Sequence, residues 1–319
     1  MTPLHAIHSL THSLTLTQVG SITTQGGAGF EHIILDKKHY IASANFWNGI
    51  DTKMSAQSSL HAVEQLSSSN GLLSFPSVQS FMSYGGHGVD HFRVHVRNSM
   101  VEERESMDEV EVGVGECREG SICGWIQEMD LLVIPSYYGC KRGQTECNAT
   151  HVYYHWNSSI HQFMDSISIP SSGPSQTDHF STNRNSYLLI AENFINQLTM
   201  YRMDAMRIGT DDIDLQAVKV QGVIVPGIAA CATAVIDGNT YVIAASYHDR
   251  GWQTTSTVYR LDEDSDALVI HHTIPTTGAH DVETIEYHGN HFLIFSEDRN
   301  SESVLISSNV SDIECVSRR

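Results

Sequence analysis

Basic charge is what this chain has least of. Eighteen Lys and Arg residues stand against 37 Asp and Glu, for a formal net charge of −19. Nucleic acid and anionic membranes are polyanions that need a basic footprint, so a chain this acidic argues against both as partners. Part of the charge lies in one run, Val101 to Glu119, and the remaining surface is only moderately acidic. Long apolar runs are missing too. No stretch approaches the roughly 20 residues that span a bilayer. The opening Met1-Thr2-Pro3-Leu4-His5 has neither a basic n-region nor a continuous apolar h-region, so it does not read as a signal peptide. Helical periodicity is nearly absent: Met200–Ile213 alone has a helical look, and it reads as a loop. Common catalytic signatures are missing as well, with no Gly-x-Ser-x-Gly elbow, no His-Glu-x-x-His and no phosphate loop. Gln25-Gly26-Gly27-Ala28-Gly29 precedes a strand and is therefore a turn. Low-complexity sequence is also lacking, which weakens a shell or matrix structural role.

What is present points to an oxidising compartment. The six cysteines include two closely spaced pairs, Cys117/Cys123 and Cys140/Cys147, suited to local loop-stapling disulfides. Cys231 and Cys315 remain as a possible long-range pair. Neither spacing is the two-residue knuckle of a structural zinc site. Glycosylation sequons begin at Asn148, Asn157 and Asn309. Together these features predict a secreted, extracellular, disulfide-stapled glycoprotein.

A short stretch with a hydrophobic–acidic–polar–hydrophobic core recurs five times. The copies are Phe30-Glu31-His32-Ile33, Val89-Asp90-His91-Phe92, Thr177-Asp178-His179-Phe180, Cys231-Ala232-Thr233-Ala234 and Val282-Glu283-Thr284-Ile285. In the best-kept copies a tight turn follows, then a second apolar run such as Tyr241–Ser246 or Phe292–Ser296. Repetition at this scale marks a radial or stacked array. Short, β-branched or aromatic segments punctuated by Gly, Asn, Asp and Pro give four strands to each of the first four units. The fifth supplies three strands before the chain almost runs out. Leu14–Ile22 alternates properly and is expected to complete it, closing the ring and removing exposed edges. The fold expected is all-β: one domain over residues 1–319, a five-bladed β-propeller of four-stranded blades whose last blade is closed by the N-terminal strand. Two insertions interrupt it, at about 98–128 and 139–148; the first carries Glu102, Glu103, Glu105, Asp108, Glu109 and Glu111.

The fifth copy, Thr277-Gly278-Ala279-His280-Asp281-Val282-Glu283-Thr284-Ile285 followed by Gly289 and Phe292-Leu293-Ile294, resembles the epilepsy-associated (EAR, or EPTP) repeat. Gly29-Phe30-Glu31 with Tyr40–Asn45, and Asp178 with Tyr187–Asn193, match it less fully. The resemblance covers most of the chain outside the insertions. It implies an extracellular β-propeller that acts as a binding module for cell-surface or matrix proteins. The chain departs from the family in having five copies where seven are usual, in Ala232 where a carboxylate is expected, and in carrying no partner domain.

In a propeller the first strand of each blade borders the central channel. Strand alternation places Glu31, Asp90, Asp178 and Glu283 in one orientation, and His32, His91, His179 and Thr284 in the other. Inward carboxylates would repel unless a cation or shared protons relieved them. An oxygen-only ring suits Ca²⁺, which the resemblance also implies for the channel; alternatively the acids cap turns or accept backbone N–H bonds. Convergent imidazoles would instead make a transition-metal site or a proton-transfer centre, although the 19 histidines are scattered throughout the chain. Trp47, Tyr137, Tyr138, Trp156 and Trp252 fall in or near loops, where they would stack on a ligand or pack between blades; Trp47, Tyr137 and Trp252 are the candidate ligand contacts. The leading functional expectation is a binding module for an extracellular protein or glycan. The alternative is a secreted small-molecule enzyme with a His- and carboxylate-lined pocket, catalysed by His32, His91 and His179, for example an oxygen-using oxidoreductase of luciferase type.

Overall fold

The computed structural model describes residues 21–24, 27–46, 57–65, 73–81, 83, 85–98, 127–137, 149–208, 212–248, 253–287, 290–297, 304–309 and 312–316. Trp47, Tyr138, Trp252, Cys117, Cys123, Cys140, Cys147 and most of both insertions lie outside them. Among the described residues every regular element is a strand except one 3-10 turn, Asn193–Ile195. The chain is all-β.

Five four-stranded antiparallel meanders follow one another. The first contains β1 (Gly27–Leu35), β2 (Lys38–Asn45), β3 (Ser58–Ala62) and β6 (Ser77–Phe81), with a small hairpin of β4 (Glu64–Gln65) and β5 (Leu73–Ser74) between the last two. The second contains β7 (Asp90–Asn98), β8 (Gln127–Pro135), β9 (Ala149–Asn157) and β10 (Gln162–Pro170). The third contains β11 (Pro174–Ser181), β12 (Ser186–Glu192), β13 (Gln197–Ile208) and β14 (Asp212–Ile224). The fourth runs through β15 (Ile228–Ile236), β16 (Asn239–Ser246), β17 (Gln253–Asp262) and β18 (Ala267–Thr277). The fifth runs through β19 (Ala279–Tyr287), β20 (Asn290–Glu297), β21 (Val304–Asn309) and β22 (Asp312–Val316). Tight turns join the first and second strands of the first and fourth meanders. Asp36-Lys37 and Asp237-Gly238 both have positive φ at their two central residues, the geometry that matches the right-handed twist of a hairpin.

Three expectations are corrected. Met200–Ile213 is no loop: it belongs to β13 and the start of β14, which pair from Gln197↔Ile224 to Ile208↔Asp212. Tyr201, Met203 and Ala205 face a core while Arg202 and Asp204 pair on the other side at 2.9 Å, so strand alternation was masked by a charged outer face. β13 also outruns β12, whose last partner is Met203, and its free edge at Ala205–Arg207 takes up the end of β7 in parallel. The second correction concerns the fifth sheet, whose fourth place is filled by β22 pairing with β21. Leu14–Gly20 lies outside the described residues, and Ser21 and Ile22 are in no strand. Third, Cys231 is a free, buried thiol. It sits on β15, whereas Cys315 sits on β22, three strands out from β19 in the next sheet. At roughly 4.8 Å per strand this is well beyond disulfide reach.

The second strands explain how the sheets stack. β12 is buried at every residue, and β16 at all but its first and third. Alternate side chains of β12 enter different cores: Leu188 and Ile190 pack with Phe92, Val94 and Leu131 of the second sheet. Leu189 and Ala191 pack with Cys231, Val242 and Tyr259 of the fourth. Each core therefore lies between two consecutive sheets, and the remaining two repeat the arrangement between sheets one and two and between four and five. Such a strand reads as an unbroken apolar run because both of its faces are covered. Among the described residues no core cluster joins the fifth sheet to the first. Phe30 and Ile34 on β1 and Ile285 on β19 are about half exposed on the faces turned toward that seam.

Candidate functional site

A cavity of about 720 Å³ is bordered by the first strands of all five sheets. Its walls are the opening halves of those strands, and four of the five carry a bulge there. Register shifts fall at Gly27/Gly29, Pro174/Gln176, Ile228/Ala230 and Ala279/Asp281. The extra residue at each, Ala28, Ser175, Ala229 and His280, lines the cavity, as expected of bulges that re-aim a side chain beside a site. β1 and β7 approach closely at a pair of glycines: a Cβ on Gly29 would lie 3.1 Å from the Gly88 Cα.

Glu31, Asp90, Asp178 and Glu283 all reach this cavity, with Ala232 at the fourth position. The three histidines do not converge, and the catalytic trio His32, His91 and His179 is thereby corrected. His32 is exposed and stacks on His39 at 5.1 Å. His91 Nε2 lies 3.0 Å from Asp130 Oδ1 on the adjacent strand. His179 Nδ1 lies 3.2 Å from Asp90 Oδ2, and its ring stacks on Phe92 at 4.4 Å. The cause is the orientation of the sheets. They stand edge-on to the cavity, so alternation sends side chains sideways toward the two neighbouring sheets, not inward and outward.

A relay runs around the cavity as a result. The acidic position points to the following sheet and the residue after it points back to the preceding one. Asp90 meets His179 in this way. Thr233 Oγ1 donates to the His179 carbonyl at 3.0 Å, and Thr284 Oγ1 donates to the Thr233 carbonyl at 2.8 Å. Glu31 feels the positive potential of His91 from the second sheet. Asp178 faces Thr233 and so has no imidazole from the following sheet. Burial, then the charge of Asp90, pushes its carboxyl up to about 7, against hydrogen bonds from the His179 amide and Thr233. Glu31 is raised by burial and then by Asp90, and Glu283 by burial and then by Asp281. Burial would lower His179, but its hydrogen bond to Asp90 and the surrounding carboxylates hold it above its ordinary value.

The predicted ring of four Ca²⁺ ligands is gathered only in part. Ligand atoms of Asp90, Asp178 and His179 lie within 4.8 Å of one another, and among the described residues Glu31 and Glu283 stand outside that group. An imidazole nitrogen beside two carboxylates is a mixed donor set rather than the oxygen-only one that suits Ca²⁺.

An aromatic collar borders the cavity through His87, Tyr137, Tyr247 and His280, with Phe46 and Phe194 packed against its rings. Phe46 meets His87 edge-on at 4.8 Å, His87 meets Tyr137 at 4.7 Å, and Tyr137 meets Phe194 at 5.0 Å. On the other side Tyr247 meets His280 at 5.3 Å. Hydrogen bonds hold the collar across sheets: Tyr137 Oη donates to Asn193 Oδ1 at 3.0 Å, and Asn193 Nδ2 donates to the Ile228 carbonyl. The Tyr247 amide donates to the Gly227 carbonyl at 2.8 Å. Gly227 has φ +67 and its missing Cβ would fall 2.1 Å from the His248 carbonyl oxygen, so glycine is required there. Second strands end on a buried polar residue, Asn45, Glu192, Ser246 or Glu297, or are followed by one, Ser136 after β8. Glu192 accepts from the Ser172 amide at 2.8 Å and from the Thr199 hydroxyl, while Glu297 accepts from the Thr277 amide at 2.8 Å. These residues pin the loops that carry the rings.

Of the three predicted ligand contacts, Tyr137 is in the collar and lines the cavity. Trp156 packs between Tyr40 and Phe163, its indole N–H donating to Asp36 at 2.8 Å. Sequence reasoning missed Phe46, Phe194, Tyr247 and His87. A signal existed: an aromatic follows the buried strand-end residue in Asn45-Phe46, Ser136-Tyr137 and Ser246-Tyr247, and comes one residue later in Glu192-Asn193-Phe194.

No family model matches the chain, and no curated protein matches it. Solved structures do. The exo-β-1,3-galactanase of Phanerochaete chrysosporium, solved with galactose, is 10% identical over 93% of this chain and 63% of its own, with a TM-score of 0.47. A putative 6-phosphogluconolactonase of Bacteroides fragilis is 10% identical over 91% of this chain and 82% of its own, with a TM-score of 0.48. The Bombyx mori GH32 β-fructofuranosidase is 8% identical over 91% and 63%, with a TM-score of 0.40. The chain thus spans less than two thirds of the galactanase and the fructofuranosidase.

Proposed function

We propose that this is a secreted, five-bladed β-propeller of the EAR type that works as an extracellular binding module, holding a group of a glycan or protein in its central cavity. The observation that carries the reading is one cavity shared by all five first strands and bordered by aromatic rings. Face-to-face stacking of consecutive sheets supports a radial array. The cavity volume falls in the range of small-ligand pockets, and a rigid scaffold with recognition groups on its loops is a common way to build a binding face. Tyr137 presents a ring to the cavity and ties two sheets together through Asn193. Tyr137→Ala is expected to weaken a ligand found on an extracellular glycan or protein array by about 10- to 100-fold, the usual cost of removing an aromatic anchor. Circular dichroism should stay unchanged. An unaltered affinity in that variant would place the ligand elsewhere.

A second reading rests on its own observation. Asp178 titrates near 7 and its carboxylate atoms lie close to Asp90. A carboxyl part-protonated at neutrality beside a second carboxyl is the arrangement used for general acid catalysis. If the propeller hydrolyses its ligand, Asp178→Asn should cut turnover of aryl glycosides by about 10²- to 10⁴-fold. No turnover by the wild-type protein across such a panel would remove this second reading and leave binding intact.

A further inference from the structure

The chemistry of the lining narrows the ligand class. Five carboxylates border the cavity, from Glu31, Asp90, Asp178, Asp281 and Glu283, and no Lys or Arg is among its lining residues. Nearby guanidinium charge is spent elsewhere, as Arg93 donates to Asp130 at 2.9 Å. At about 720 Å³ the space is far larger than a bare metal ion needs. The lining adds a second and independent feature: the rings of His87, Tyr137, Tyr247 and His280 border the cavity, with Phe46 packed against His87 and Phe194 against Tyr137. Ring faces attract cations, and most strongly when the site is partly desolvated. His87 in the collar is held toward its neutral form by burial and then by His280, so it adds little positive charge of its own.

We propose that the cavity takes a small organic cation, with a quaternary or protonated ammonium group seated between the aromatic collar and the carboxylates. This rests on the reading of the cavity as a ligand site and adds its charge class. A neutral sugar would also stack on the rings, but it would add nothing to the partial compensation that His179 gives Asp90 and Asp178. An ammonium ion compensates the charge and meets the ring faces together, with the carboxylates acting through space and no bond made or broken.

The test uses a matched pair, choline and its neutral isostere 3,3-dimethyl-1-butanol, with glucosamine and glucose as the saccharide pair. Titration calorimetry of the intact protein at pH 8 should show choline binding at least tenfold tighter than the alcohol, and glucosamine tighter than glucose. Choline keeps its charge at every pH, so its affinity should fall as the pH drops below about 7 and Asp178 takes up a proton. Asp90→Asn and Tyr137→Ala should each weaken choline at least fivefold, with melting curves confirming that both variants fold. Equal affinity for charged and neutral partners would overturn the charge inference while sparing the binding reading. Binding of none of the four would count against both. A metal ion that co-purifies, is removed by chelator and competes with choline would assign the charge to an inorganic cation and overturn the proposal.

Discussion

Leu188→Ala and Leu189→Ala are each expected to cost about 3–5 kcal/mol of folding stability, the largest single-residue losses anticipated in this protein. Both side chains are fully buried on β12, and truncating a core leucine removes its transfer free energy and leaves a cavity the surroundings only partly fill. The two substitutions differ in where the cavity opens. Leu188 lies in the core between the second and third sheets, and Leu189 in the core between the third and fourth. The two residues are neighbours on one strand, but their side chains enter cores that share no residue, so the double variant should lose close to the sum of the two single losses. Urea denaturation of the three variants measures this. A coupling above about 1 kcal/mol would mean that the sheets do not divide their cores as described.

The architecture was legible because it is written in local chemistry repeated five times. Two-residue turns such as Asp237-Gly238 and unbroken apolar second strands such as Tyr187–Ala191 carry their meaning within a few residues. β13 was misread since its alternation is half hidden by Arg202 and Asp204, and its parallel partner β7, which joins the second and third meanders into one eight-stranded sheet, is distant in sequence. β22 was missed because Asp312–Val316 is short and polar at its start. The carboxylates were found from their spacing, and the structure brings all four to one cavity. Their partners were not found. Alternation supplies two orientations but does not say which way a sheet stands to the axis, and that decided the fate of every histidine. The collar escaped notice for a similar reason: Phe46, His87, Tyr137 and Phe194 come from separate stretches of sequence and meet only through the packing of the first three meanders.

The loss of the acid at Ala232 also acquires a physical sense. Its counterpart in the next sheet is Thr284, and Thr284 donates to a backbone carbonyl instead of offering a positive charge. Where the facing residue is a histidine, as with Glu31 and Asp90, an acid is kept. Asp178 is one exception, an acid opposite Thr233, and Glu283 likewise has no histidine acting on it. Asp178 is the ring carboxyl that burial and the charge of Asp90 push up to about 7.

That exception makes Asp178→Asn a stabilising substitution at alkaline pH and a nearly neutral one in acid. The folded-state carboxyl titrates at about 7 against an ordinary value of 3.8, so folding favours the protonated form. Its contribution to stability is fully present below the unfolded value and is lost as the pH rises through about 7. Glu31, Glu283 and His179 are also raised, so their contributions change in the same direction. The wild-type protein should therefore lose stability from about pH 4 upward through the carboxyls, and above pH 6.5 through His179. Asparagine copies the protonated carboxyl in shape and can still accept the His179 amide hydrogen bond, but it never ionises. At pH 8 the variant should gain on the order of 2 kcal/mol. Below about pH 4 wild type and variant should melt together, since Asp178 is then protonated in the folded and unfolded states alike. Thermal unfolding of both proteins from about pH 3.5 to pH 8 decides the matter. A variant that is no more stable at pH 8, or whose pH slope matches the wild type, would show that burial beside Asp90 does not hold the Asp178 carboxyl as described. The expected gain in stability should come with weaker choline binding, because the charge whose repulsion destabilises the empty cavity is the charge a cation would meet.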